Sequence, residues 1–166
     1  VSPRIIPGKI PGQVVLVDSD EHDEWGNITE SDEIRVKMVN KRLQKFVGLK
    51  QEVQEPWLIG ADSPENLIVC WGSTYGAVKE AVGRLQAEGF SVGALIFGDI
   101  WPFPTKLISE LGRKAKRIID VEQNATAQLD SLIRQEALLG STDKILKYDG
   151  RPLSGEEVYR RIKEVL

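Results

Sequence analysis

Four apolar runs alternate with amphipathic segments in the second part of the chain, and this alternation constrains the fold more than any other feature. The runs read "LIVCWG", "SVGALIFG", "KRIIDVE" and "KILKYDG" within residues 67–150. The segments between them carry apolar residues at helical spacing, as at Val78, Val82 and Leu85. Strands without polar alternation that are separated by helices predict an α/β fold, with a parallel sheet buried on both faces.

The residues before the first run are organised differently. Residues 1–50 comprise a proline-rich arm predicted to be extended, a short strand "QVVLVDS" (13–19), an acidic loop, and a helix from about Ser31 to Val47. One face of that helix is basic, and we expect the other face to pack: Ile34, Met38, Val39, Leu43, Phe46 and Val47. Residues 51–65 are predicted to be a linker with room for a short edge strand at Trp57–Ile59, and residues 66–166 form the α/β domain.

Composition excludes several classes of protein. The 166 residues carry a net charge of -3, so there is no general electrostatic footprint for nucleic acid. The single cysteine, Cys70, can form neither an internal disulfide nor a metal cluster, which suits a reducing cytoplasm. No apolar stretch approaches the ~20 residues that span a bilayer, so we expect no membrane association. The opening "VSPRIIPGKIPG" lacks an initiator Met, and we expect the chain to be part of a longer polypeptide.

The first candidate site is the turn Gly72, Ser73 and Thr74 between the first run and the next helix. Amides at a helix N-terminus can hold an anion, and either hydroxyl could donate to it. The text "GSTYG" is however neither a dinucleotide fingerprint nor a phosphate-binding loop with its lysine. The alternative is a tight turn with a hydroxyl that caps the helix.

The second candidate site is the acidic loop "DSDEHDE" around His22, the only histidine. Such clusters can ligate metals or transfer protons, but neither a calcium-loop glycine nor a second histidine is present. We therefore predict no metal site and favour a solvated acidic loop.

The third candidate site lies in "VEQNATAQL", where Glu122, Asn124 and Gln128 bring hydrogen-bonding groups to the end of a buried strand. Part of this capacity could cap the following helix through Asn124 or Thr126. The text "WPFP" (101–104) is either an exposed interface anchor or a locally packed corner. Right-handed crossovers from a central "LIVCWG" strand predict a topological switch point, with a crevice between residues 72 and 122.

These pieces together resemble the C-terminal half of the alpha subunit of 2-oxoacid:ferredoxin oxidoreductases, most closely the 2-oxoglutarate type. The resemblance covers nearly the whole chain and rests on six stretches: "VSPRIIPG", "DSDEHDEWGNITE" followed by "IRVKMVNKRL", "WGSTYGAVKEAV", "WPFP", "VEQNATAQL" and "ILKYDGRP". It implies a transketolase C-terminal-like domain, with three α/β/α layers and a mostly parallel sheet of about five strands that has one antiparallel edge strand. The family usually has glycine at the position of Ala127.

The resemblance also implies an enzyme that uses thiamine diphosphate, iron–sulfur clusters and coenzyme A, with ferredoxin as electron acceptor. The implied partners are a beta subunit and ferredoxin, with gamma and delta subunits left open. The glutamate that activates thiamine and the site that holds its diphosphate belong to parts outside this chain, so we expect the chain to be catalytically silent, without cofactors of its own. Its role would be subunit assembly.

Two alternatives stay open at this point. The turn at Gly72–Thr74 could make the chain a small-molecule module that binds coenzyme A or phosphate. A hydrolase would require His22 to reach Ser73 or Thr74.

Overall fold

The computed structural model describes residues 4–15 and 20–166, which divide into two compact units, Val1–Glu52 and Val53–Leu166. The elements are α1 (Asp32–Glu52), β1 (Trp57–Gly60), β2 (Asn66–Trp71), α2 (Tyr75–Ala87), β3 (Val92–Phe97), α3 (Lys106–Gly112), β4 (Arg117–Glu122), α4 (Gln128–Ala137), β5 (Asp143–Leu146) and α5 (Gly155–Lys163). A short 3-10 helix, Gly72–Thr74, joins β2 to α2. Among the described residues, none of the helices combines the length and apolar character that crossing a bilayer requires.

The five strands form one sheet in the order β1-β3-β2-β4-β5. Strands β2 to β5 are parallel, whereas β1 pairs antiparallel with β3 at the edge, with Trp57 opposite Ile96. The predicted α/β class, strand number and central position of β2 are confirmed. The chain leaves β2 toward β3 on one flank and reaches β4 on the other, so the predicted switch point exists.

Alternate residues of the central strands enter two separate apolar cores, which confirms the three layers. On β2, Ile68 and Cys70 pack with the residues of α2 and α5, while Leu67 and Val69 pack with those of α3 and α4. All four side chains are fully buried. Such a strand must be apolar at every position, which is why its sequence shows no polar alternation. At the start of α5, the Ser154 hydroxyl caps the helix, because it accepts a hydrogen bond from the Glu157 N–H (3.1 Å).

The first unit differs from its prediction in several respects. Residues 13–15 form no strand, and the rest of that predicted strand lies outside the described residues. The arm makes two turns instead of running extended, since Lys9 N–H donates to the Ile6 carbonyl and Gln13 N–H to the Ile10 carbonyl. Helix α1 continues to Glu52, five residues past the predicted end, because Gly48 costs a helix only about 1 kcal/mol and no proline lies between Gly48 and Glu55.

The apolar face of α1 is also not packed as predicted. Met38 is the only buried residue of this helix, whereas Leu43 and Val47 are exposed. The predicted linker at residues 51–65 contains the last residues of α1 and the strand β1, so the second unit begins at Val53.

Candidate functional site

A crevice opens at the carboxyl ends of the parallel strands, between the segments that follow β2 and β4. Its volume is about 260 Å³. Seven residues line it: Trp71, Gly72, Ser73, Thr74, Gln123, Asn124 and Gln128. The structure thus brings together five of the predicted site residues, as the topology required, and places Glu122 directly beside them.

The turn at Gly72–Thr74 supplies one wall of the crevice. Gly72 has a positive φ of 59°, a conformation that residues with a Cβ adopt only at a cost, and it turns the chain from the extended Trp71 into the short helix. The Thr74 hydroxyl donates to the Trp71 carbonyl (2.7 Å), and no side chain caps the start of α2. The predicted hydroxyl cap is therefore wrong, because the threonine closes its own turn instead. Ser73 is exposed.

Glu122 is the structural centre of the crevice, although its side chain is fully buried. Its carboxylate accepts hydrogen bonds from the Trp71 indole Nε1 (2.9 Å), the Asn124 amide Nδ2 (2.7 Å), and the backbone N–H groups of Leu129 (2.8 Å) and Asp130 (3.4 Å). One side chain at the end of β4 thereby fixes the last residue of β2 and the first turn of α4. Four N–H donors around one carboxyl group satisfy its charged form.

The cap of α4 consequently differs from the prediction, which assigned it to Asn124 or Thr126. The Asn124 side-chain carbonyl accepts from the Thr126 N–H (3.0 Å), so this residue closes a local turn, while its amide group donates to Glu122. Two of the N–H groups in the first turn of the helix, those of Leu129 and Asp130, donate to Glu122 instead. A cap that arrives from a preceding strand has no fixed spacing from the helix, and the sequence gives no signal for it.

Ala127 joins this turn to α4 in a left-handed conformation, with φ 54° and ψ 61°, and its side chain is buried. Glycine enters this region without a steric cost, which gives a physical reason for the glycine that the resembling family has there. This chain accommodates alanine at that position with local backbone strain.

A second buried carboxyl lies two residues before Glu122 on the same strand. Neither oxygen of Asp120 has a hydrogen-bond partner among the described residues, and the side chain is fully buried. Burial above all, and then the nearby charges of Glu122 and Asp130, raise the pKa of Asp120 to about 9. Asp120 is therefore a neutral acid at pH 7. No role was predicted for Asp120, although an acid between the apolar residues Ile119 and Val121 was the available signal.

Asp130, in the first turn of α4, completes this group of acids but is fully compensated. Burial works against its charged form, yet hydrogen bonds from Arg134, Lys144 and Ser141 hold the pKa of this carboxyl below its usual range. The Arg134 Nε and the Lys144 Nζ each lie 2.8 Å from Asp130 Oδ2. The ion pairs of Asp130 with Arg134 and Lys144 thus lie next to Asp120 and Glu122. The three acids form no metal site among the described residues.

The "WPFP" segment is a locally packed corner, and its role as an interface anchor stays a prediction. Phe103 is buried and stacks on Phe97, with ring centroids 5.1 Å apart, so the corner is packed locally. Trp101 stays exposed and remains available to another molecule.

His22 and the acidic loop belong to the first unit, where the loop is tied to the basic face of α1. Glu21 pairs with Arg42 (2.6 Å) and Arg35 (3.2 Å), and Glu24 pairs with Lys37 (3.4 Å). The hydrogen bond from Arg42 lowers the pKa of Glu21 to about 2. His22 is exposed. The crevice lining contains no histidine, so the crevice itself lacks the base that a hydrolase would need.

Comparison with known proteins gives a family match. Residues 64–157 match the model of the pyruvate:ferredoxin oxidoreductase core domain II. The alpha subunit of a 2-oxoacid:ferredoxin oxidoreductase from Saccharolobus solfataricus is 35% identical over 150 residues, which covers 89% of this chain and 24% of the relative. The 2-oxoglutarate synthase subunit KorA of Methanocaldococcus jannaschii is 34% identical over 103 residues, covering 62% of this chain and 27% of the relative. The chain spans about a quarter of the length of these curated relatives.

A solved structure is similar across almost the whole chain. It is the 2-oxoglutarate:ferredoxin oxidoreductase from Magnetococcus marinus with 2-oxoglutarate, coenzyme A and succinyl-CoA bound, which superposes with a TM-score of 0.73 at 30% identity. The match covers 98% of this chain and 28% of that one.

Proposed function

The chain belongs to the pyruvate:ferredoxin oxidoreductase core domain II family, and on that premise we propose that it is a non-catalytic assembly domain of the alpha subunit of a 2-oxoacid:ferredoxin oxidoreductase. The complete enzyme would oxidatively decarboxylate a 2-oxoacid, transfer the acyl group to coenzyme A, and pass the electrons to ferredoxin. The family match over residues 64–157 carries this proposal. We propose 2-oxoglutarate as the substrate because the enzyme from Magnetococcus marinus was solved with that compound bound.

The side chains at the crevice support a role in assembly instead of catalysis. The lining residues include no acid, base, cysteine or histidine, and the adjacent Glu122 carboxylate is fully engaged by N–H donors. Covalent or acid–base catalysis needs a nucleophile with a base within hydrogen-bond reach. The crevice residues are therefore suited to contact and orientation.

The cofactors implied by the family do not fit this chain's residues. An iron–sulfur cluster requires several cysteine thiolates, whereas this sequence has one cysteine, and burial raises the pKa of the Cys70 thiol to about 12. The sequence also has no diphosphate-binding motif. We propose that thiamine diphosphate and the clusters are held by other parts of the alpha subunit and by a beta subunit. The lone unpaired cysteine supports a cytoplasmic location.

The alternative of a module that binds coenzyme A or phosphate at Gly72–Thr74 receives less support from the geometry. The Glu122 carboxylate lies 2.9 Å from the indole nitrogen of Trp71, one of the lining residues, and its negative charge opposes the entry of an anion. A volume of about 260 Å³ also falls below the ~300–1,000 Å³ of typical ligand pockets.

Removal of the domain tests the proposed function. We expect the complete alpha subunit to assemble with a beta subunit and to be active, and a version that lacks residues 53–166 to lose assembly and activity together. The isolated chain should be colourless and give no calorimetric signal with thiamine diphosphate. Full assembly and turnover by the shortened subunit would contradict an assembly role.

A further inference from the structure

All three tryptophans of residues 53–166 lie at the side of the sheet where the parallel strands have their carboxyl ends. Trp57 begins the antiparallel strand β1 opposite the end of β3, Trp71 ends β2, and Trp101 follows β3 in the next loop. Their exposed fractions are 68%, 37% and 57%. Tyr148, which follows β5 at the same side of the sheet, is also exposed. Large aromatic side chains of this kind are the usual anchors of protein interfaces, whereas single surface residues elsewhere need no explanation.

Trp71 lines the crevice, which has a distinctive electrostatic character. None of its seven lining residues carries an ionisable side chain, and the amides of Gln123, Asn124 and Gln128 can both donate and accept hydrogen bonds. The buried Glu122 carboxylate lies under two lining residues, since it accepts from Trp71 and Asn124. An anionic group would be repelled there, and a cation would find both oxygens of the Glu122 carboxylate already bonded to N–H groups.

We propose that the crevice, together with the exposed tryptophans, receives an uncharged loop of a neighbouring subunit. This inference rests on the proposed assembly function and names the chemistry of the partner. A peptide main chain presents one N–H donor and one carbonyl acceptor per residue, which matches the amides of Gln123 and Gln128. The aromatic side chains on either side extend the contact well beyond the crevice, as a protein partner requires and a small molecule does not.

Charge substitutions at Gln128 test the proposal in the complete enzyme. Gln128 is exposed at the start of α4, so Gln128→Glu and Gln128→Lys should leave the subunit folded. If the occupant is uncharged, both variants should weaken the affinity between alpha and beta subunits by about tenfold, the scale of one interface hot spot. The matched controls are Gln135→Glu and Gln135→Lys, which place the same charges on an exposed position of the same helix away from the crevice.

Each outcome of this series is decisive. Weakening by both charges at Gln128, with the Gln135 controls unchanged, supports an uncharged loop. Tighter binding with Gln128→Lys would overturn the proposal in favour of an acidic partner, and tighter binding with Gln128→Glu in favour of a basic one. Unchanged affinity in both variants, while the wild-type complex still assembles, would overturn this inference and leave the assembly function standing.

Two further measurements address the remaining parts of the proposal. Trp101→Ala should weaken the same complex, and an unchanged affinity would remove the aromatic row from the interface. Inorganic phosphate and coenzyme A, added to the alpha subunit alone, should leave the amide resonances of Gly72–Thr74 unmoved. A saturable shift with either compound would assign the crevice to an anion instead.

Discussion

Different interactions stabilise the interior of each of the two units, although amphipathic patterns predicted packed helices in both. Among the described residues up to Glu52, Met38 is the only one that is buried, and surface ion pairs tie the acidic loop to α1. In residues 53–166 two apolar cores cover both faces of the sheet, and a buried carboxylate joins strand to helix. An amphipathic pattern therefore predicts that one face of a helix is apolar. It does not predict which part of the protein packs against that face.

The largest expected difference concerns leucine. Leu95 on β3 is fully buried, whereas Leu43 on α1 is 58% exposed. Leu95→Ala should lower the free energy of unfolding by about 2–5 kcal/mol through lost burial and a residual cavity. The same change at Leu43 should stay within about 0.5 kcal/mol. Urea denaturation of the 166-residue chain measures both, and equal losses at the two positions would mean that the units do not differ as described.

The second prediction concerns Asp120, the buried acid whose oxygens have no hydrogen-bond partner among the described residues. Because its pKa is raised to about 9 in the folded state, Asp120 binds a proton that the unfolded chain releases near pH 4. The folded state is therefore favoured most below pH 4, and it loses stability as the pH rises toward 9, by at most about 1.4 kcal/mol per pH unit. Asp120→Asn removes this slope and should stabilise the chain by up to a few kcal/mol at pH 7.

Denaturation of Asp120→Asn and of the wild type at pH 5 and at pH 8 provides the measurement. The stabilisation should be clearly larger at pH 8 than at pH 5. Asp99→Asn is a useful control, since Asp99 is exposed and accepts a hydrogen bond from the Gln54 N–H. A pH-independent difference for Asp120→Asn would contradict a buried neutral acid at this position.

The third prediction concerns Glu122, the compensated acid of the same strand. Glu122→Gln keeps the shape but turns an NH₂ group toward two of the four N–H donors, which leaves buried donors unsatisfied. The expected loss is about 1–3 kcal/mol of unfolding free energy. Gln123→Ala, an exposed neighbour, should change it by less than about 0.5 kcal/mol. A Glu122→Gln variant as stable as the wild type would show that the carboxylate does not organise the crevice.

The outcomes so far show which parts of this molecule a sequence can predict. The strand order and the crevice followed from apolar runs and crossover handedness, because both rules act on whole elements. The cap of α4 by Glu122 was missed because it joins residues whose spacing depends on the loop between them. The end of α1 was missed because Gly48 weakens a helix without stopping it. Whether the site residues act in assembly remains a prediction.

The smallest expected effect concerns Glu21 in the first unit. Its pKa is lowered, whereas the pKa of Asp120 in the second unit is raised. Arg42 and Arg35 lower the pKa of Glu21 to about 2, so the contribution of this carboxylate is fully present above its ordinary value of 4.5. It is lost as the pH falls toward 2. Because the pair lies at the surface, global stability should hardly respond, and the shift should appear in an NMR titration of the Glu21 carboxyl carbon. Arg42→Ala should return that titration toward 4.5, whereas Lys41→Ala, which removes a neighbouring charge without removing the pair, should not. If the pKa values of Asp120 and Glu21 were instead shifted in the same direction, burial and ion pairing could not be the separate causes that distinguish the two units.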